Sequence, residues 1–264
     1  MLPASQTKQS KLLACPVGST VFHLTQSDDG VSNGTALWLG AQCLSAYLTH
    51  SAVVKPGIRV LELGSGIGLT SLCLARLGCS TVIATDLPWV ISSCLAKNVE
   101  SNRSQLPQGS EVIVRELDWT VTPDRWVWDH ETIIASPTYL PSVGSTLQLT
   151  DGLDLIITAD TIYSADLVTP FLRTLHGLCA QSLAAASRSG KGDKSARAPV
   201  VLICLERRDP SLTDRTLEEA QSTWGFVVNR ITQHKVAKAL EKSGFNWSKD
   251  DWDGVELWKL THRG

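Results

Sequence analysis

The sequence predicts an α/β protein whose sheet has seven strands, mostly parallel but antiparallel at the C-terminal end, with helices on both faces. Three observations carry that reading. From about residue 58 onward, short apolar runs alternate with apolar stripes at helical spacing, the pattern of strands joined by crossover helices. Gly64, Gly66 and Gly68 cluster where the first run gives way to the first stripe. The chain has 264 residues, 43% of them hydrophobic, which is fewer than two typical domains and enough to bury one core.

Each element follows in order. Ile58 to Leu63 is a first strand, and Leu69 to Leu77 a helix stopped by Gly78. Thr81 to Thr85 is a second strand. Pro88 then suits a first helical position, with Val90, Ile91, Cys94, Leu95 and Val99 on one helix face. Glu111 to Glu116 and Leu153 to Thr158 are the third and fourth strands, the latter followed by a helical stripe from Leu167 to Leu178. Pro199 to Leu205 is the fifth, and a helix is expected from Thr213 to Trp224 with Gly225 as its stop. Phe226 to Ile231 and Val255 to Leu260 complete the set. Only a short helix near Val236 to Leu240 and a loop separate these two strands, so this end is expected to be antiparallel in part.

Three stretches fall outside the rhythm. Residues 1–33 read as an N-terminal tail and lead-in, and 34–264 as a single domain. Residues 120–150, with Trp126, Trp128, Pro137 and Pro141, are long for a connection and read as an insertion. Residues 184–198 are basic and rich in Ala, Ser and Gly, the composition of a surface loop.

Composition excludes several functions. Twenty-four Lys and Arg against 26 Asp and Glu give a net charge of -2, too little field to grip nucleic acid or an acidic membrane surface non-specifically. No run approaches the ~18 apolar residues of a membrane span, and the first residues have no apolar signal core. Seven scattered Cys, without a C-x-x-C pair or zinc spacing, fit a reducing compartment, so a cytoplasmic and also nuclear location is expected, with no metal. Nine Trp against three Tyr and four Phe invert the usual ratio, suggesting that some indoles serve a site.

The glycine cluster permits close backbone approach to a ligand and leaves helix N–H groups facing it. Asp86, at the end of the next strand and 18 residues after Gly68, is placed to accept from a ribose hydroxyl pair. No Lys-Ser or Lys-Thr follows the glycines, which argues against a Walker loop, and the third glycine comes one position early for a dinucleotide fingerprint. Glu62, two residues before the first glycine, suits a cationic ligand better than a pyrophosphate. S-adenosyl-L-methionine is such a ligand. Asp118, past the third strand, is the candidate acceptor for its adenine amino group, and Trp119 the candidate wall for the purine; the alternative for this pair is a turn Asp and a core Trp.

These residues carry a resemblance. Gly34-Thr35-Ala36-Leu37-Trp38-Leu39-Gly40-Ala41, Glu62-Leu63-Gly64-Ser65-Gly66-Ile67-Gly68, Ala84-Thr85-Asp86-Leu87-Pro88, Leu117-Asp118-Trp119 and Ala159-Asp160-Thr161-Ile162-Tyr163 closely resemble lysine-methyltransferase family 16 of the seven-strand S-adenosylmethionine-dependent methyltransferases. The likeness spans about residues 34 to 180. It implies a Rossmann-like sheet, S-adenosyl-L-methionine as cofactor and a lysine side chain of a non-histone protein, such as a translation factor or chaperone, as acceptor. By the same resemblance, Trp38, Glu62, Gly64, Ser65, Gly66, Gly68, Asp86, Asp118, Trp119 and Ala159 would hold the cofactor. Asp160 and Tyr163 would face the acceptor, Asp160 positioning the ammonium and Tyr163 supplying an aromatic wall and a hydroxyl. A bland alternative has Asp160 capping the next helix and Tyr163 packing in its first turn. Glu206 and Arg207, at the end of the fifth strand, either touch a peptide or, as the better reading, pair structurally. A monomer is expected. A small-molecule amine or pyridine methyltransferase remains open, as does a non-catalytic interaction module, because a fold does not determine its acceptor.

Overall fold

The structure is a computed structural model that describes residues 1–27, 34–188 and 197–263. Apolar alternation pairs Leu12–Val17 (β1) with Thr20–Thr25 (β2) as an antiparallel hairpin, turning at Gly18. Helix α1 (Leu39–His50) then leads to β3 (Arg59–Leu63), α2 (Leu69–Arg76) and β4 (Thr81–Asp86). The next helix starts at Pro88, as expected, but is three pieces: α3 (Pro88–Val90), a π-helical segment (Ile91–Leu95) and α4 (Ala96–Asn102). There follow β5 (Glu111–Leu117), β6 (Ile133–Ala135), β7 (Leu155–Ala159), α5 (Ala165–Arg188) and β8 (Val200–Glu206). The chain closes with α6 (Pro210–Ser222), β9 (Phe226–Ile231), α7 (Gln233–Lys242) and β10 (Val255–His262). Helix α6 starts three residues before the expected Thr213 because Asp209 accepts the Leu212 N–H at 3.0 Å and Pro210 takes a first-turn position that needs no donor.

The main sheet runs β6-β5-β4-β3-β7-β8-β10-β9. The seven expected strands are all present, parallel except β10, which is antiparallel to both β8 and β9. The eighth, β6, comes from the expected insertion and pairs with β5 at the edge. One apolar cluster lies between the sheet and α1, α2, α4 and α7; the other lies under α5, α6 and the insertion.

Two of the irregular stretches prove to be core. The lead-in is not a loose tail: Cys15, Phe22 and Leu24 are fully buried, and Asn98 and Asn102 of α4 hydrogen-bond the β2 backbone at Thr25 and His23. The insertion is likewise packed, with Trp126 fully buried and Trp128 tied to Gln181 of α5 through its indole N–H at 2.8 Å. Of the expected surface loop, 184–188 extend α5; 189–196, like 28–33 of the lead-in, lie outside the described residues. All seven Cys are buried and unpaired, and no helix among the described residues is long and apolar enough to cross a membrane.

Candidate active site

The carboxyl ends of β3, β4, β5 and β7 surround an open cleft, where parallel α/β sheets bind ligands because the strand ends and helix N-termini converge there. The glycine loop forms its floor. Gly64 and Gly66 adopt φ of +65° and +54°, and a Cβ on them would sit 2.7 Å from Thr161 Cγ2 and 3.1 Å from the Gly34 carbonyl oxygen. Only glycine fits there without displacing a neighbour.

The acids are held by backbone donors. Asp86 Oδ2 accepts the Gly66 N–H at 2.8 Å and Oδ1 the Leu87 N–H at 2.8 Å, yet burial dominates and raises its pKa to about 6. Asp118 Oδ1 accepts from the Thr120 amide and hydroxyl. Trp119 beside it leans on Phe171, with ring centroids 5.3 Å apart, and its carbonyl accepts from Arg173. Asp160, at a left-handed φ of +53°, accepts the Gly40 N–H on Oδ2 at 2.6 Å and the Glu206 N–H on Oδ1 at 2.8 Å. Burial lifts its pKa to about 6 against those bonds. Tyr163 is 52% exposed, and burial of its inner part, with Asp86 nearby, raises its hydroxyl pKa.

Of the residues expected from sequence, Trp38, Gly64, Gly66, Asp86, Asp118, Trp119, Ala159, Asp160 and Tyr163 all line this cleft. Glu62, Ser65 and Gly68 do not. Glu62 is buried behind the loop and hydrogen-bonded by Ser71; desolvation raises its pKa to about 7, so its place is under the loop rather than on the ligand wall. Ser65 supports the loop from behind, its hydroxyl accepting the Thr85 N–H at 3.0 Å. Gly68 supplies the φ of +90° that starts α2. Arg207 is structural, as the better reading had it, bound to Asp214 and Glu256. Trp126 and Trp128 are core, whereas Trp89 lines the cleft and is 39% exposed.

Sequence reasoning missed Arg208. Its guanidinium lies 4.4 Å from the centroid of the Trp38 ring, pairs with Glu206 and lines the cleft beside Asp160. Alternation past the end of β8 was the available signal, since it puts Glu206 and Arg208 on one side and Arg207 on the other.

The lining is suited to a cationic ligand. Asp86, Asp118 and Asp160 face one guanidinium, and among the described residues no Lys or His joins them. Each Asp86 oxygen accepts one backbone bond and keeps capacity for a hydroxyl donor. A pyrophosphate would find almost no positive partner here; a sulfonium nucleoside with a ribose and an adenine fits the donor set.

A doubly wound sheet with one antiparallel strand, a glycine loop after β3 and an acid ending β4 defines an S-adenosylmethionine-dependent methyltransferase. The sequence profile of the family described as lysine methyltransferase matches residues 19–148. The chain is 30% identical over 209 residues to protein N-terminal and lysine N-methyltransferase efm7 of Emericella nidulans, covering 78% of this chain and 71% of that protein. It is 27% identical over 172 residues to mouse methyltransferase-like protein 22, covering 62% of this chain but only 40% of the relative. A putative SAM-dependent methyltransferase from Streptococcus mutans shares the fold, with a TM-score of 0.50 at 10% identity over 95% of this chain and 55% of its own. The chain belongs to the lysine methyltransferase family.

Proposed function

We propose that this chain methylates the side-chain amine of a lysine in a non-histone protein such as a translation factor or chaperone, using S-adenosyl-L-methionine. The observation that carries the reading is the acidic, indole-walled cleft whose acceptor end opens to solvent past Tyr163 and Arg208. An open mouth suits a side chain presented by a folded partner, whereas a metabolite enzyme would enclose its acceptor. A stretch free of charged side chains, 133–150, begins beside Asp118 and exposes Leu140 and Val143, which adds apolar surface for such a partner.

Bound in the cleft, S-adenosyl-L-methionine supplies an electrophilic methyl group on a sulfonium. Asp86 is assigned to the ribose hydroxyls, Asp118 and Trp119 to the adenine, Gly64 to Gly66 to the methionine part, Trp38 to a packing wall and Ala159 to a backbone contact. Asp160 and Tyr163 take the acceptor end. With its pKa near 6, Asp160 is an anion at neutral pH and attracts the ammonium; Tyr163, raised above its ordinary range, stays a neutral hydroxyl and a wall. The chain's contribution is alignment of the acceptor nitrogen. We assign the chain to the cytoplasm and nucleus, acting as a monomer.

Labelled S-adenosyl-L-methionine incubated with the purified protein and a lysate tests the reading: label on a protein band, traced to lysine by mass spectrometry, supports it, and label on small molecules alone overturns it. Asp160→Ala is expected to abolish transfer while S-adenosylhomocysteine affinity stays nearly unchanged by calorimetry; full turnover in that variant removes the acceptor role.

A further inference from the structure

A lysine amine attacks only when neutral, and its unperturbed pKa is near ~10.4. The cleft offers little to deprotonate it. No His, Lys or Cys lines it among the described residues, Asp160 with a pKa of about 6 is too weak a base to take the proton of an amine, and the Tyr163 hydroxyl holds its proton. The carboxylates make matters worse, because negative charge stabilises the ammonium. Asp160, in the turn after β7, lines the acceptor end; Asp86, ending β4, lines the same cleft with Tyr163 nearby, and Glu206, ending β8, pairs with Arg208 and donates its N–H to Asp160. On the other side of the balance, besides the sulfonium that the cofactor itself brings, Arg208 is the basic side chain lining the cleft among the described residues, since Arg207 is turned away to Asp214 and Glu256. Buried Cys43 and Cys204, also near Asp160, stay neutral because burial raises both thiols.

We propose that Arg208, stacked on Trp38 and paired with Glu206 at the acceptor end, is a specificity-determining residue whose fixed positive charge favours the neutral form of the bound acceptor amine. This rests on the lysine-methyltransferase reading above. The stack fixes the guanidinium on an indole that also walls the cleft, and the bond from the Glu206 amide to Asp160 ties the segment to the acceptor end. Arg is suited to this because its own charge does not titrate away. By lowering the amine's pKa, Arg208 raises the reactive fraction at physiological pH; it favours acceptors that lose a proton on binding over those that stay cationic, which it repels.

The test takes as acceptor the protein band labelled in the lysate, purified unmethylated. The ascending limb of kcat against pH reports the bound amine, whereas that of kcat/KM reports free species. For Arg208→Gln the kcat limb is expected to move to higher pH, with turnover below the limb reduced about 3- to 10-fold, while the kcat/KM limb stays. Glu206→Gln should move the kcat limb the opposite way, and Arg208→Lys, which keeps the charge, should restore it. The 13Cε resonance of the acceptor lysine, titrated in the complex with S-adenosylhomocysteine, should show a lower pKa with the native enzyme than with Arg208→Gln. If Arg208 merely props Trp38, S-adenosylhomocysteine affinity falls, Arg208→Lys does not rescue, and neither limb nor resonance moves; that result overturns the proposal and leaves the parent function standing. Absence of label on any protein overturns both.

Discussion

A carboxyl group two residues before a glycine loop invites a functional role, yet Glu62 is buried beneath that loop, where its burial bears on stability. Its folded pKa, about 7, lies above the unfolded value of 4.5, because desolvation penalises the anion more than Ser71 and its neighbours support it. Its contribution to stability is therefore present in full below pH 4.5 and lost as pH rises through about 7. Glu62→Gln, which keeps an acceptor for Ser71, should be more stable than the native protein at pH 8, by up to roughly 3 kcal/mol, with the gap closing near pH 4. Urea unfolding at the two pH values measures this, and a pH-independent gap refutes it. Asp86 predicts a ligand effect instead: Asp86→Ala should weaken S-adenosylhomocysteine binding by tenfold or more in calorimetry, and unchanged affinity sinks the ribose assignment. Sequence spacing located Asp86 because a strand end after a glycine loop has few alternatives. It could not tell a carboxylate on the cleft wall from one beneath the loop, since Glu62 and Gly64 are two residues apart on a strand that ends in a sharp turn.

At the scale of elements, the 120–150 segment shows what local pattern conceals. Its Trp and Pro content reads as an irregular insertion, but the segment packs on α5 where Gly177 leaves room: a Cβ there would meet Pro123 Cγ at 2.7 Å and Trp126 at 3.1 Å. Trp126→Ala is expected to destabilise the fold by ~3–5 kcal/mol, the ordinary cost of emptying a buried indole site. Trp89→Ala, at an exposed cleft position, should leave the unfolding midpoint within about 0.5 kcal/mol of native. Equal losses from the two would contradict the burial pattern. The boundaries at Gly78 and Pro88 were legible because apolar periodicity and Gly or Pro punctuation coincide there, whereas the starts of α5 and α6 and the end of α5 lack that coincidence. Strand β6 was not, because three residues carry too little periodicity to be distinguished from a loop. The hairpin β1–β2 was passed over for a related reason: it forms its own two-stranded sheet, and its burial depends on Asn98 and Asn102, some 75 residues away in the chain.

Across the whole molecule, helices on both faces turn one sheet into two apolar clusters that share their strands, and the cleft lies where loops from both sides meet. A ligand bridging those loops should stabilise the molecule as a unit. S-adenosylhomocysteine at a hundred times its Kd adds about 2.7 kcal/mol, which for a chain of this size raises Tm by roughly 5 °C or more; a differential scan with native protein and Asp86→Ala tests it, and an equal shift in both argues against binding through Asp86. The sequence by itself determined the order of the seven principal strands, the glycine loop, the acid ending β4, the D-W and D-x-x-Y elements and, through them, the family. Those features are local, repeated at fixed periods or carried by contiguous residues. Only the tertiary structure decided that Glu62 lies under the loop, that Trp126 and Trp128 are core while Trp89 is not, and that Arg208 reaches the acceptor end over Trp38. Each depends on which distant segment covers a side chain, and burial against a partner remote in the chain leaves no signature in the residues on either side.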